Sequence, residues 1–203
     1  MSYVDYGYVN AGQQCQDSYV WPRVEKLIRD LHLSGRAFDL GCGNGASAAE
    51  LKKMGFSVAA VDPSRSGISV ARRSYPDIQF EVADGTDSLA ARFGTFDLVI
   101  SIEVVEHCYD PAALMRTLAS LLKPGGVAIV STPYHGYLKN LALAALNKWD
   151  AHMPPLWLGG HIKMFSQATF TKLLRDGGLR DIQLYRVGRI PPFAKSMIGV
   201  ARR

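Results

Sequence analysis

Ala37-Phe38-Asp39-Leu40-Gly41-Cys42-Gly43-Asn44-Gly45-Ala46, followed at once by Ser47-Ala48-Ala49-Glu50-Leu51, is the stretch around which the rest of the chain is organised. A short apolar strand carries an acid near its end, three glycines alternate, and a helix-forming run begins immediately. Glycine lets the backbone turn tightly and approach a ligand closely, and the helix start offers free N–H groups. The pattern is that of a nucleotide-cofactor loop. Gly41, Gly43 and Ala46 satisfy the dinucleotide fingerprint G-x-G-x-x-A in form. Asp39 argues for a different ligand, because a carboxylate at a strand mouth repels a pyrophosphate and attracts an ammonium group. Asn44-Gly45 also opens the turn more than a pyrophosphate cradle needs.

Strands and helices alternate around this stretch. Arg36–Leu40 reads as the first strand and Ala46–Met54 as its helix. Ser57–Val61 is a second strand ending at Asp62-Pro63, Ser66–Ser74 a helix, and Ile78–Val82 a third strand ending at Asp84-Gly85. Phe96–Ser101 is a fourth strand, Pro111–Leu122 a helix stopped by Lys123-Pro124-Gly125-Gly126, and Val127–Ser131 a fifth strand. This rhythm predicts an α/β doubly wound parallel sheet. Residues 133–160 then break it with Tyr134, Tyr137, Trp149, Trp157 and the apolar run Leu141–Leu146, and are expected to form a lid insertion, with plain packing, a dimer contact or a membrane-surface contact as the other readings. Ser166–Arg175 reads as a helix capped by Ser166, and Ile182–Val187 with Ser196–Ala201 as two closing strands. Upstream, residues 1–20 carry Tyr3, Tyr6, Tyr8 and Tyr19 among polar residues. They are expected as either a docked surface arm or a flap over a ligand cleft.

Composition sets bounds. The chain has 203 residues, 48% of them hydrophobic and 20% charged, with a net charge of +5. That length suits one domain, 1–203, rather than two. The basic residues are scattered, so a nucleic-acid partner is not expected, while an anionic substrate is permitted. Cys15, Cys42 and Cys108 have no CxxC spacing, which implies neither a disulfide framework nor a thiolate zinc site. No signal peptide and no apolar run of spanning length are read in the sequence, so a cytoplasmic location is the expectation. Nothing speaks to oligomeric state.

Ligands of open α/β sheets bind at the carboxyl ends of the strands. Asp39, Asp62 and Asp84 stand at three successive strand mouths, and Asp62 is positioned for ribose hydroxyls, as it would be for a nicotinamide cofactor too. Strand four ends in Glu103-Val104-Val105-Glu106-His107, and the i, i+3, i+4 spacing puts Glu103, Glu106 and His107 on one face of a helical turn. Neighbouring carboxylates raise each other's pKa unless a cation joins them. His161, in Gly160-His161-Ile162-Lys163-Met164-Phe165-Ser166, returns after the insertion and completes a mixed carboxylate and imidazole set. Such a set suits Mn²⁺ or Zn²⁺ better than the abundant Mg²⁺. The same residues without metal would offer His107 or His161 as a general base.

The acid followed by Gly41-x-Gly43-x-Gly45 resembles motif I of the class I S-adenosylmethionine (SAM) methyltransferases. The later E-x-x-E-H and H-x-K-x-F-S segments resemble the ubiquinone-pathway O-methyltransferases and the small-RNA 2′-O-methyltransferases. The resemblance covers roughly residues 36–133 and 160–176. It implies a Rossmann-like, seven-stranded sheet with a C-terminal antiparallel hairpin, and SAM as cofactor. It also implies that Asp39, Gly41, Gly43, Asn44, Gly45, Asp62, Pro63, Asp84, Gly85, Thr86 and Glu103 serve the cofactor. Glu106, His107 and His161 are then expected at the chemistry, with Glu103, Glu106, His107 and His161 as the ligands of a divalent metal (Mg, Mn or Zn). The expected reaction is methyl transfer to a small-molecule acceptor, at a hydroxyl oxygen. Metal-independent N- or C-methylation, a nicotinamide-dependent oxidoreductase and a non-catalytic SAM-binding module are the competing readings.

Overall fold

The structure, a computed structural model, describes residues 5, 7–12, 17–85 and 88–203. Tyr3, Tyr6, Cys15 and Thr86 lie outside them. Seven strands form one sheet in the order β3-β2-β1-β4-β5-β7-β6. They are β1 (Arg36–Leu40), β2 (Ser57–Asp62), β3 (Gln79–Val82), β4 (Phe96–Ile102), β5 (Leu122–Pro133), β6 (Arg180–Val187) and β7 (Ser196–Arg202). The first five run parallel, β7 lies antiparallel beside β5, and β6 pairs antiparallel with β7. This is the doubly wound α/β sheet expected from the strand rhythm, with the antiparallel closing hairpin that the resemblance implied.

The period of two along each strand divides the core. Leu98 and Ile100 face the helices α1 (Asp17–Asp30), α2 (Ala46–Lys53) and α3 (Arg65–Ser74), together with Ile28, Leu51 and Ile68. Val99 faces the other way, with Phe38 and Leu40, toward α4 (Leu89–Phe93), α5 (Pro111–Leu121) and α8 (Gln167–Asp176). Sheets buried on both faces need apolar residues at nearly every strand position, and these strands supply them. Asp110 caps α5 through Ala113 N at 2.9 Å, and Ser166 forms a capping box with Thr169 at α8.

Three details depart from the sequence pattern. The helix α1 begins at Asp17, inside the segment 1–20 expected as an arm or a flap, because Val20 and Trp21 already pack on the core. Strand β5 starts at Leu122, ahead of the Pro124-Gly125-Gly126 expected to precede it. Leu122 pairs with Phe96, and a register shift absorbs the irregular stretch before Val127 meets Leu98. The insertion holds two helices, α6 (Tyr137–Ala145) and α7 (Trp149–His152), where only an apolar run was legible. No helix among the described residues is long and apolar enough to cross a membrane.

Candidate active site

A cavity of about 1250 Å³ opens at the carboxyl ends of β1, β2, β3 and β4. The glycine loop is its floor. Gly41 N and Cys42 N both donate to Val61 O, at 2.9 and 3.0 Å, which ties the loop to β2. Gly41 sits at φ 89°, and a Cβ there would stand 2.5 Å from Val104, so no other residue fits. Asp62, at the end of β2, accepts from Gly43 N at 2.8 Å with one oxygen and from Ser64 N at 2.8 Å with the other. Burial pushes its pKa up to about 6 despite those two bonds. A carboxylate oxygen has two lone-pair sites, so Asp62 retains capacity for ligand hydroxyls.

Of the residues expected at the cofactor, Gly41, Gly43, Asn44, Asp62, Pro63, Asp84, Gly85 and Glu103 line this cavity. Asp39 is 1% exposed, inside β1 between Ala60 and Ile100, and is not part of the cavity wall. Gly45 also lies behind the wall, where a Cβ would meet Ala71 and Phe80. Thr86 is outside the described residues.

The N-terminal segment lies across the same loop. Asp5 accepts from Ser64 Oγ at 2.7 Å and Ser66 N at 3.0 Å, and Ser66 Oγ also donates to it. The hydrogen bonds from Ser66 and Ser64 hold the Asp5 carboxyl well below the usual range. Tyr8 N donates to Ser66 Oγ, and Asn44 Nδ2 donates to the carbonyls of Asn10 and Gly12. Tyr8 and Tyr19 line the cavity.

The chemistry-bearing residues of strand four separate into two groups. Residue 103 takes a left-handed backbone, φ 54°, so it stands outside the short 3-10 turn Val105–His107 rather than on its face. The Glu103 carboxylate accepts from Ser131 Oγ at 2.8 Å and Ser196 Oγ at 3.2 Å, across β4, β5 and β7. Glu106, His107 and His161, by contrast, place one ligand atom each within 4.8 Å of one another. Glu106 is 0% exposed. Its Oε2 accepts from Thr132 Oγ1 at 3.1 Å, whereas its Oε1 has no hydrogen-bond partner among the described residues. Desolvation, and next the nearby Glu103, push the Glu106 pKa well above the carboxylate range.

The backbone of Glu106 fixes the partner segment. Its carbonyl accepts from Ile162 N at 2.9 Å and Lys163 N at 3.0 Å, which carries His161 to within 4.9 Å, ring to ring, of His107. His107 Nδ1 lies 2.8 Å from Gly159 O and 3.2 Å from Gly160 O. Carbonyls only accept, so Nδ1 carries the proton and Nε2 holds the lone pair, 3.9 Å from Glu106 Oε1. Burial lowers the His107 pKa, and burial with the facing His107 lowers that of His161 to about 4. Both imidazoles are therefore neutral near pH 7. The set can hold a divalent cation, since a buried carboxylate oxygen lacking a partner and two lone-pair nitrogens converge. It can equally take a proton.

The far wall was less legible. Lys139, Leu143, His152 and Trp157 of residues 133–160 line the cavity, as do Arg189 and Lys195 from the β6–β7 connection. No spacing links these positions. The Pro191-Pro192 pair, marking an irregular connection at the same sheet edge, is the one signal that pointed there.

Residues 16–184 match the family model described as a methyltransferase domain. A ubiquinone biosynthesis O-methyltransferase of Caulobacter vibrioides is 40% identical over 112 residues, 53% of this chain and 44% of that protein. The protein of the same name from Thiobacillus denitrificans is 29% identical over 153 residues, 73% of this chain and 66% of that one. The chain thus spans about half to two thirds of the length of these curated relatives. Among solved structures, the magnesium protoporphyrin IX methyltransferase of Synechocystis superposes with a TM-score of 0.69 over 91% of this chain and 81% of that one, at 23% identity. Between the two cofactors that the glycine pattern left open, the family is that of the methyl donor. The chain belongs to the methyltransferase-domain family, on the class I SAM-dependent methyltransferase fold.

Proposed function

We propose that the protein transfers the methyl group of SAM to a hydroxyl oxygen of a small-molecule acceptor, within one domain, 1–203. Its residues 133–160 act as a lid, and its expected flap, 1–20, is confined to the part ahead of α1. The observation that carries this reading is the buried Glu106 Oε1, without a hydrogen-bond partner and flanked by two neutral imidazoles at the cavity wall. An attacking hydroxyl must shed a proton, and this is the cluster equipped to receive it. The name carried by the curated relatives supports oxygen as the receiving atom.

On this reading Gly41, Gly43 and Asn44 hold the methionyl end, with Gly45 setting the turn and Asp39 as an acid behind them. Asp62 and Pro63 take the ribose, Asp84, Gly85 and Thr86 the adenine, and Glu103 closes the cofactor side. Bound SAM supplies an electrophilic sulfonium methyl, and in-line alignment supplies much of the acceleration. Glu106, His107 and His161 fit a divalent ion (Mg, Mn or Zn), which when bound would act as a Lewis acid toward the acceptor. Glu103 is tied to Ser131 and Ser196 and is not needed as a fourth ligand. His107 is held in the tautomer a base requires, and the Gly159 carbonyl that receives its Nδ1 proton would stabilise the imidazolium form. The lid and the tyrosines Tyr8 and Tyr19 exclude water that would compete for the methyl group.

The test is to incubate the protein with SAM and a panel of hydroxylated aromatic acceptors, and to locate the transferred methyl by mass spectrometry and NMR. Methylation at oxygen, lowered at least about a hundredfold in Glu106→Gln, is expected. Methyl found on nitrogen or carbon, or a Glu106→Gln variant as fast as the parent, would overturn the reading. Chelation followed by Mn²⁺ restores activity if the ion is used and leaves the rate unchanged if a histidine alone is the base.

A further inference from the structure

The cavity is bipolar. Among its lining residues before position 133, every acidic or basic side chain other than the neutral His107 is a carboxyl group: Asp62, Asp84, Glu103, Glu106 and Asp110. From position 133 onward, histidines aside, every one is a cation: Lys139, Lys148, Arg189 and Lys195. The acidic half belongs to the strand ends and matches a cofactor bearing a sulfonium and an ammonium. The basic half comes from the insertion and the β6–β7 connection, and the cofactor does not account for it.

Lys139 is the odd member. It is 9% exposed, and its Nζ donates to Tyr134 O at 2.7 Å and Lys195 O at 3.4 Å. No ion pair within 4.0 Å among the described residues involves Lys139 or Arg189. Glu103 attracts Lys139 from the end of β4 but is engaged by Ser131 and Ser196. Burial, and then repulsion from Arg189, lower the Lys139 pKa to about 8, and burial with Lys139 and Arg189 lowers that of His152. Cations gathered in a cavity without a counter-ion repel one another, and a bound anion removes that cost.

We propose that the methyl acceptor is an anion whose carboxylate docks between Arg189 and Lys139, with its hydroxyl directed to Glu106, His107 and His161. This rests on the methyl-transfer reading above and adds the charge of the substrate. The donor supply favours a carboxylate over a phosphate dianion. Two of the three Lys139 N–H groups already serve carbonyls, so one remains beside the planar guanidinium fork of Arg189, and that fork matches a carboxylate's two oxygens.

The experiment is calorimetric titration of S-adenosylhomocysteine-loaded protein with 3,4-dihydroxybenzoate and with catechol, a pair that differs only by the carboxylate. The carboxylated member should bind at least about tenfold more tightly, the weight of a charge-assisted hydrogen bond. That preference should vanish in Arg189→Gln and be reduced but not lost in Arg189→Lys, which keeps the charge without the fork. Arg189 is exposed, so neither change threatens the fold. Equal binding of the pair, binding of neither, or a preference that persists in Arg189→Gln overturns the proposal while leaving methyl transfer standing. Failure of S-adenosylhomocysteine itself to bind removes both.

Discussion

Glu106 shows how one side chain constrains the chemistry. A carboxyl group with no exposed surface and an oxygen lacking a partner keeps its proton unless a cation or a base arrives. Glu106→Gln keeps the volume and the Thr132 contact but removes the oxygen that can take up or release a proton or ligate a cation. It should lower kcat by about two orders of magnitude and leave the SAM dissociation constant within about twofold, as steady-state kinetics and calorimetry would show. Gly43 is the complementary case. It sits at φ 52°, and a Cβ there would lie 2.8 Å from Tyr8 Oη. Gly43→Ala should therefore cost about 1–2 kcal/mol in urea unfolding and weaken SAM at least about tenfold, because the loop and the tyrosine cannot both stay in place. At this scale Gly43, Glu106 and His107 were legible from spacing. The departure of Glu103 from the turn was not, because a left-handed backbone at a glutamate is a tertiary outcome that leaves no mark in sequence.

Among the elements, the loop after α7 matters most for the proposed base, His107. The rings of Trp157 and His161 are 5.6 Å apart and those of Trp157 and His107 6.1 Å, while Gly159 and Gly160 supply the carbonyls that orient His107. Trp157→Ala should cut kcat about tenfold and raise the acceptor KM, with SAM binding unchanged, in a steady-state assay that varies each substrate in turn. An equal loss of SAM binding would show the loop to be part of the cofactor site instead. The strands were legible because short, nearly continuous apolar runs, followed by acids at their mouths, repeat along the chain. Helices α6 and α7 were not, because 133–160 mixes aromatics, prolines and a short apolar run without sustained periodicity, and tertiary packing decides its form.

The whole molecule keeps several histidines neutral. Burial lowers the pKa of His107, His135, His152 and His161, with His135 reaching about 4 from an ordinary 6.5. A base whose pKa falls on folding binds fewer protons when folded, so stability declines as pH drops from 6.5 toward 4. For His135 alone this amounts to about 2 kcal/mol at pH 5. Asp62 and Glu106, whose pKa values are raised, act in the opposite sense, so the histidine contribution is read as a difference. Between pH 7 and 5 the Tm of cofactor-free His135→Gln should shift toward relative acid stability compared with the parent in calorimetry. The same neutrality sets the activity profile. If a histidine is the base, the acid limb of kcat/KM should fall below pH 6.5. The segregation of carboxylates on the strand ends from cations on the insertion and the β6–β7 connection also belongs to this scale. Sequence alone shows scattered charges, since Lys139 and Arg189 are joined only by the fold. The most direct test of the account is titration of the chelator-stripped protein with SAM by calorimetry, beside Asp62→Ala. Micromolar one-to-one binding, weakened at least about tenfold by the substitution, is the predicted result. Absence of SAM binding, or binding indifferent to Asp62, would contradict the assignment of this cavity as the methyl-donor site.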